Sequence, residues 1–306
     1  MVNKELINII IPCLNEQENV IKLAEQIVDK TKGLNYNFQL IFVDDGSTDN
    51  TWQNIQNLPF DNISGIKLSR NFGHQAAISA GINSTSDSNV ILMDADLQDD
   101  PIYLPEFISK WEEGSKIIVA KRTSRQENLF RRIVFGLFFY IQSKLTDIDI
   151  PKNTGHFSFL DKEVVKQLKN FPESVNYING NRSYVGYQTD FIDVVKKERM
   201  FGKPKMTFLK LFKLGINAIF NFSSKPLTLI GFLGFLVSFG SILFSIFALY
   251  FKLKHGRTLL GWNFGLSSIY FLSGIQLLSL SIIGKYVNTI FQEVKKRPEY
   301  IVESKI

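Results

Sequence analysis

Two stretches near the C-terminus constrain this chain more than anything else in it. Residues 226–251 contain no Asp, Glu, Lys or Arg and are flanked by Lys225 and Lys252; residues 258–284 again contain none, between Arg257 and Lys285. A helix needs about 20 apolar residues to cross roughly 30 Å of hydrocarbon, and each stretch exceeds that. Helices buried in globular cores average about 10–14 residues, so the pattern predicts two transmembrane helices rather than two core helices. Two crossings return the chain to the side it started from, placing residues 1–225 and the tail from Lys285 in one compartment.

The N-terminus, MVNKELINIIIPCLNE, has an apolar run too short and too soon interrupted for a signal peptide. It is expected to be a buried first strand, Ile7 to Ile11, stopped by Pro12. The expectation is therefore a multi-pass protein of the cytoplasmic (inner) membrane with its N-terminal domain in the cytoplasm. Lys203, Lys205, Lys210, Lys213 and Lys225 before the first span, and Lys285, Lys295, Lys296 and Arg297 after the second, agree with the positive-inside rule. Lys252, Lys254 and Arg257 in the connecting loop run against it.

Residues 1 to about 120 alternate short apolar runs with helical stretches, the pattern of an α/β fold. NIIIPCL, FQLIFVDDGS, GIKLSRN and NVILMDADLQ read as strands; EQENVIKLAEQIVDKT, DNTWQNIQNL and HQAAISAGINS read as helices. The net charge of +6 calls for an acidic partner. A nucleic acid would fit the sign, but the cations gather beside the spans, which favours anionic membrane lipid and no nucleic acid. Cys13 is the only cysteine, so an intrachain disulfide and a cysteine-based zinc site are excluded.

In open α/β sheets, ligands bind beyond the carboxyl ends of the strands. Three expected strand ends are polar: Asn15 and Glu16 after the first, DDGS from Asp44 after the second, and DADLQDDP from Asp94 after the fourth. Carboxylates crowded at a buried strand end are destabilising unless a cation or hydrogen-bond donors neutralise them. Side chains alternate along an extended chain, so Asp94 and Asp96 share a face and Gln98 continues it with a neutral oxygen. An all-oxygen set suits a hard divalent ion, Mg2+ or Mn2+, rather than zinc. A solvated acidic turn is the competing reading of DAD alone, and the second acidic cluster at Asp44 favours the ion. Asp99 and Asp100 are expected to shape the loop before Pro101 rather than to ligate.

The motifs IPCLNEQENV, VDDGSTDNT, LSRNFGHQAA, DADLQDDP and AKRTSR, followed by the two spans, run in order from about residue 5 to about residue 300. In this combination the chain resembles the family 2 glycosyltransferases of GT-A fold. More narrowly, it is similar to the polyprenyl-phosphate glycosyltransferases, the group of dolichol-phosphate mannose synthases and bacterial undecaprenyl-phosphate glucosyltransferases. The resemblance implies a Rossmann-like α/β GT-A domain over 1–200, an amphipathic juxtamembrane segment over 201–225, spans over 226–251 and 258–284, and a cytoplasmic tail over 285–306. It implies a nucleoside-diphosphate sugar as donor, a polyprenyl phosphate as acceptor, inverting transfer at the cytoplasmic face, and a homo-oligomer.

Carried over by position, the resemblance places Pro12, Asn15 and Glu16 at the nucleotide and Asp44 and Asp45 at its base. Asp94, Asp96 and Gln98 would bind the metal and the donor diphosphate. Arg122, with Arg131 or Arg132, would receive the acceptor phosphate, and Arg199 and Lys205 in RMFGKPKM would close over the diphosphate. Asp96, Arg122 and His156 would be the catalytic groups. The amphipathic stretches 129–145 and 208–222 suit either the headgroup plane or packing on the sheet.

The chemistry agrees with that distribution. A nucleoside diphosphate leaving group develops charge that a metal and cations stabilise. A phosphate monoester acceptor is already ionised at pH 7, so positioning and charge neutralisation carry the rate, and the planar guanidinium grips phosphate bidentately. The chain departs from the family pattern at His156, where relatives carry an acid, and at Ser158, where they carry arginine. A histidine can serve as a base or a hydrogen-bond donor, and the departure bears on the donor sugar. His74 is expected to be a surface histidine at a helix start. Two other readings stay open. One is transfer to another lipid such as diacylglycerol, whose hydroxyl needs a base; the other is a non-catalytic nucleotide-sugar-binding scaffold, which has little use for an acidic cluster.

Overall fold

The computed structural model describes residues 5–123, 151, 154–171, 177–195, 223–256 and 262–306. It divides into two compact units: Met1–Tyr140 with Ile148–Phe208 and Arg297–Ile306, and Ile141–Asp147 with Leu209–Lys296. The first is built on an eight-stranded sheet. Its strands are β1 (Leu6–Cys13), β2 (Asn37–Asp44), β3 (Ile63–Leu68), β4 (Asn89–Leu92), β5 (Ile117–Arg122), β6 (Thr154–Leu160), β7 (Thr189–Val194) and β8 (Val302–Lys305), in the order β7-β5-β6-β4-β1-β2-β3-β8.

β3, β2, β1 and β4 run parallel, which explains why the first strand reads as an unbroken apolar run: a central parallel strand is covered on both faces. Ile7, Ile9 and Ile11 face one side, with α1 (Val20–Thr31) and α4 (Leu104–Glu112) packed there through Leu23, Ile27, Leu104 and Phe107. Ile10 faces the other side, with α3 (His74–Ser84) and α5 (Lys162–Lys169). α3 lies very close to the sheet, since a Cβ added to Gly81 would stand 2.3 Å from Ile10 Cγ2. Among the described residues, this unit's other α-helices are the short α2 (Thr51–Gln56) and α6 (Ile178–Tyr184).

Pro12 does not stop β1, which continues to Cys13 with Pro12 in register opposite Val43. The Cys13 carbonyl accepts from Asp45 N–H on the β2 side, and the Ile10 carbonyl accepts from Met93 N–H on the β4 side. Residue 12 therefore faces β4, whose pairing with β1 ends at Ile10–Leu92. Proline has no N–H to carry the ladder on that side, while the pairing with β2 continues to Cys13–Asp44.

Two strands break the parallel pattern. β6 runs antiparallel between β4 and β5, so its first residues lie at the edge where β4 and β5 end. β8 adds antiparallel to β3 after the chain has passed through the second unit. It is tied there by Lys67–Glu303 at 3.0 Å and by paired bonds between Gly65 and Ile306.

The second unit contains α7 (Lys225–His255) and α8 (Trp262–Lys295), of 31 and 34 residues. At 1.5 Å per residue each is about 45–50 Å long, enough to cross a bilayer. Large apolar side chains such as Phe235, Phe239 and Ile246 stand exposed all round α7, a pattern suited to lipid rather than water. The hydroxyls along these helices turn inward: Ser241 donates to Val237 O at 2.7 Å, Ser245 to Ser241 O at 2.8 Å, and Ser279 to Ile275 O at 2.9 Å. Such i−4 bonds satisfy polar groups where no water is present.

Candidate active site

The order of the parallel strands reverses between β1 and β4: the chain steps β1, β2, β3 to one side and then returns to the other. The carboxyl ends flanking such a switch point form a crevice suited to nucleotides. Here they carry Asn15 and Glu16 after β1 and Asp94 and Asp96 after β4.

The β1 and β2 ends are stitched together. Asn15 sits in the left-handed region at φ 51°, which asparagine tolerates better than most residues. Its N–H donates to Ser47 Oγ at 2.9 Å and its Oδ1 accepts from Thr48 N–H at 2.8 Å. Glu16 N–H donates to Thr51 Oγ1 at 2.8 Å, and the buried Glu16 carboxylate accepts from Asn19 Nδ2 at 2.6 Å. Pro12 is buried within β1 beneath them.

Asp44 and Asp45 are buried and engaged with the protein's own backbone. Asp44 Oδ1 accepts from Ser47 N–H at 3.0 Å, whereas its Oδ2 is buried without a hydrogen-bond partner. Asp45 Oδ1 accepts from Phe72 N–H at 2.7 Å, and its Oδ2 from Gly73 N–H at 3.0 Å, fixing the loop that leads into α3. Burial raises both carboxyl pKa values, and these backbone bonds pull the other way. Gly46, at φ +69°, closes the arrangement, because a Cβ there would lie 2.4 Å from the Arg70 carbonyl carbon and 2.6 Å from Asn71 N.

β4 ends at Leu92 rather than running on to Gln98 as the sequence suggests; the chain turns at Ala95–Asp96, with Leu97 in the left-handed region at φ 58°, and only burial still alternates. Asp94, Asp96 and Gln98 are half-buried, while Ala95, Leu97 and Asp99 between them are buried. Asp99 Oδ2 accepts from Asp94 N–H at 3.2 Å, and Asp100 Oδ1 caps the turn at Pro101 through Ile102 N–H at 3.2 Å. These two acids hold the loop, as expected of them. Asp96 Oδ1 accepts from Gln98 N–H at 3.2 Å.

The antiparallel β6 brings the remaining groups. Leu92 pairs with Ser158, so two residues further along His156 comes opposite Asp94. His156 packs against His74 with ring centroids 4.9 Å apart, and its Nε2 lies 3.3 Å from Gln75 Nε2. Its Nδ1 is buried without a hydrogen-bond partner. Burial first, then His74, Arg182 and Arg122, push its pKa down to about 3 against the opposing pull of Asp94. His156 is thus a neutral imidazole at pH 7. His74 is exposed at the start of α3, as its sequence context suggests, and still reaches this cluster: its Nε2 is 3.4 Å from Asp94 Oδ1. An adjoining cleft is lined by Gln98, Asp100, Tyr103, Arg122, Gly155 and Phe157.

Arg131, Arg132, Arg199 and Lys205 lie outside the described residues. Gln75 and Arg182 were not singled out by sequence. Gln75 lies inside LSRNFGHQAA without a role of its own there and no motif marks Arg182; the antiparallel insertion of β6 brings its start beside helices α3 and α6.

Residues 8–169 match glycosyl transferase family 2. The chain belongs to this family. As a family 2 glycosyltransferase it is 36% identical over 302 residues to an uncharacterized glycosyltransferase of Bacillus subtilis (strain 168), covering 97% of this chain and 93% of that one. It is 33% identical over 300 residues to the SfII prophage-derived bactoprenol glucosyl transferase of Shigella flexneri, covering 97% of each. With the bactoprenol glucosyl transferase of Shigella phage SfX it shares 32% over 302 residues, 98% of this chain and 99% of that one. Among solved structures, glucosyl-3-phosphoglycerate synthase from Mycobacterium tuberculosis, solved with Mn2+, UDP-glucose and phosphoglyceric acid, aligns over 71% of this chain and 78% of that one. Its TM-score is 0.49 at 16% identity, too distant to inform substrate or metal.

Among the described residues, no three His, Cys, Asp or Glu side chains are grouped to enclose an ion. A Mg2+-type ion is commonly held by one or two carboxylates plus substrate phosphates, and Asp94 and Asp96 are two half-buried carboxylates in the loop after β4.

Proposed function

We propose that this glycosyltransferase moves a sugar, with inversion, from a nucleoside-diphosphate sugar to a polyprenyl phosphate such as undecaprenyl phosphate. The observation that carries the reading is the meeting at one switch point of an oxygen-donor pair, Asp94 and Asp96, with the arginine-bearing edge of β5 and β6. The same chain carries two membrane-length helices. The full-length likeness to bactoprenol glucosyl transferases supports the acceptor class.

In this reading Asn15 and Glu16 border the nucleotide, and the Asp44–Asp45 turn shapes the pocket for its base. Asp94, Asp96 and Gln98 would hold a divalent ion, Mg2+ or Mn2+, which when bound supplies positive charge to the diphosphate leaving group. Arg122, with Arg131 or Arg132, receives the acceptor phosphate, and Arg199 and Lys205 close over the diphosphate. A phosphate oxygen of the acceptor attacks the anomeric carbon from the face opposite the leaving group. The bond to the diphosphate oxygen breaks as the new carbon–oxygen bond forms, and the nucleoside diphosphate departs. The attacking oxygen carries no proton at pH 7, so no base is needed. A histidine with a pKa near 3 is a poor base, and His156 is assigned to positioning by hydrogen bond.

The same reading divides the chain into a catalytic domain over 1–200, a juxtamembrane segment over 201–225, spans over 226–251 and 258–284, and a tail over 285–306, acting as a homo-oligomer at the cytoplasmic face of the inner membrane. Because β8 follows the second long helix and pairs with β3, an even number of crossings suits the chain, and the product would be a lipid-phosphate-linked sugar for envelope glycans.

The test is to incubate the purified full chain in detergent with undecaprenyl phosphate, Mg2+ or Mn2+, and a panel of UDP-, GDP- and dTDP-sugars, following product by mass spectrometry. A lipid-phosphate-sugar from one donor, absent with Asp96→Ala and without metal, is expected. No product from any donor, with a folded protein that binds nucleotide, overturns the assignment.

A further inference from the structure

Arg182, on α6, is 2% exposed, yet it forms no ion pair with a carboxylate of any described residue. Its Nη1 has no hydrogen-bond partner, and its Nη2 reaches only the Gly155 carbonyl at 3.4 Å. Burial draws its pKa down to about 10, with the Tyr177 phenol pulling the other way, so the guanidinium stays charged at neutral pH. A buried charge without a counter-charge costs several kcal/mol, and a guanidinium carries five N–H donors that call for acceptors.

The surroundings sharpen the question of what would answer that charge. Arg122 also stands at Gly155: its Nη2 is 3.2 Å from where a Cβ on that residue would lie. A side chain at position 155 would crowd Arg122, and glycine leaves the space. His156 beside them has a buried Nδ1 without a partner. Two cations and an unsatisfied imidazole nitrogen thus lie about the start of β6; Arg122 and Gly155 line the cleft, and Arg182 reaches the same glycine through its carbonyl.

We propose that Arg182 and Arg122, meeting at Gly155, form an anion clamp that takes a phosphate oxygen of a substrate, making Arg182 a substrate-binding residue. Two guanidinium forks match the planar, many-acceptor geometry of a phosphate far better than a sugar hydroxyl. The clamp rests on the glycosyl-transfer reading above for its site. The phosphate can come from the acceptor monoester or from the donor diphosphate.

Thermal unfolding of the full chain in detergent, titrated separately with farnesyl phosphate, farnesol and nucleoside diphosphates (UDP, GDP, dTDP), separates these sources. Arg182→Met keeps a stem of similar size and removes an uncompensated buried cation, so it should melt no lower than wild type. It should lose at least tenfold in apparent affinity for farnesyl phosphate, while Arg182→Lys recovers part of that loss and farnesol stabilises no variant. A tenfold loss on the nucleoside diphosphate instead supports the clamp with the donor as source. Full wild-type affinity for both probes in Arg182→Met overturns it, as does a wild type indifferent to both. A wild type that binds farnesyl phosphate through Arg182 but makes no glycolipid overturns the transfer reaction and leaves the clamp standing.

Discussion

The two halves of the site are built on opposite principles. On the β1–β2 side, nearly every polar side chain is committed to another part of the protein: Asn15 to Thr48, Glu16 to Asn19, Asp45 to the Phe72 and Gly73 amides. Asp44 Oδ2 and Asn19 Oδ1 are the exceptions. On the β5–β6 side, Arg182 Nη1 and His156 Nδ1 are buried without partners. A half whose polar groups satisfy one another is pre-formed, and its ligand enters a pocket already shaped. A half whose cations lack counter-charges is completed by its ligand. A nucleotide, with a rigid base and ribose, suits the first; a phosphate on a flexible lipid suits the second.

The largest expected effect bears on the boundary between the halves. Asp96→Ala should lower kcat by at least about 100-fold, as loss of a group stabilising the leaving charge typically does, measured as lipid-linked product per minute. If Asp96→Ala instead leaves kcat intact, the boundary lies elsewhere. Next, Arg122→Gln should raise the KM for the lipid phosphate about 10- to 100-fold, the worth of one charge-assisted bond, while nucleoside diphosphate binding by calorimetry stays within about twofold. Equal damage to both would erase the distinction between the halves.

Gly46→Ala tests the pre-formed side. The added Cβ meets backbone at 2.4–2.8 Å, so stability should fall by about 1–3 kcal/mol, read from thermal unfolding. Nucleotide affinity should weaken with it, without a change in acceptor KM. The smallest effect belongs to His156→Gln. A group whose folded pKa is pushed to about 3 is neutral from about pH 5 upward, so the rate should change less than about tenfold. The kcat profile between pH 6 and 8 should keep its shape; a lost limb there would make His156 a base after all.

Much of this was legible in the sequence because the physics is local. The run Ile7 to Ile11 and the helix pattern of HQAAISAGINS each need only neighbouring residues to be read, and the structure places both where expected; the extended chain expected through Asp94, Asp96 and Gln98 is instead a turn at Ala95–Asp96 with Leu97 at φ 58°. The two apolar stretches are visible for the same reason. What stayed hidden depends on distant pairing. β8 is four residues, three of them exposed, whose partner lies far back in the chain. β6 enters backwards between β4 and β5, and this insertion puts His156 opposite Asp94 and Arg182 at Gly155. Pro12 misled because it ends the pairing on the β4 side only, while β1 stays paired with β2 to Cys13.

The measurement that bears most directly on the central claim compares two acceptors under identical conditions. Wild-type protein is given its productive nucleotide sugar with either undecaprenyl phosphate or undecaprenol, and initial rates are followed by mass spectrometry. An account in which arginines neutralise an already ionised nucleophile, with no base to activate a hydroxyl, predicts transfer to the phosphate and none to the alcohol. Comparable transfer to undecaprenol would contradict it.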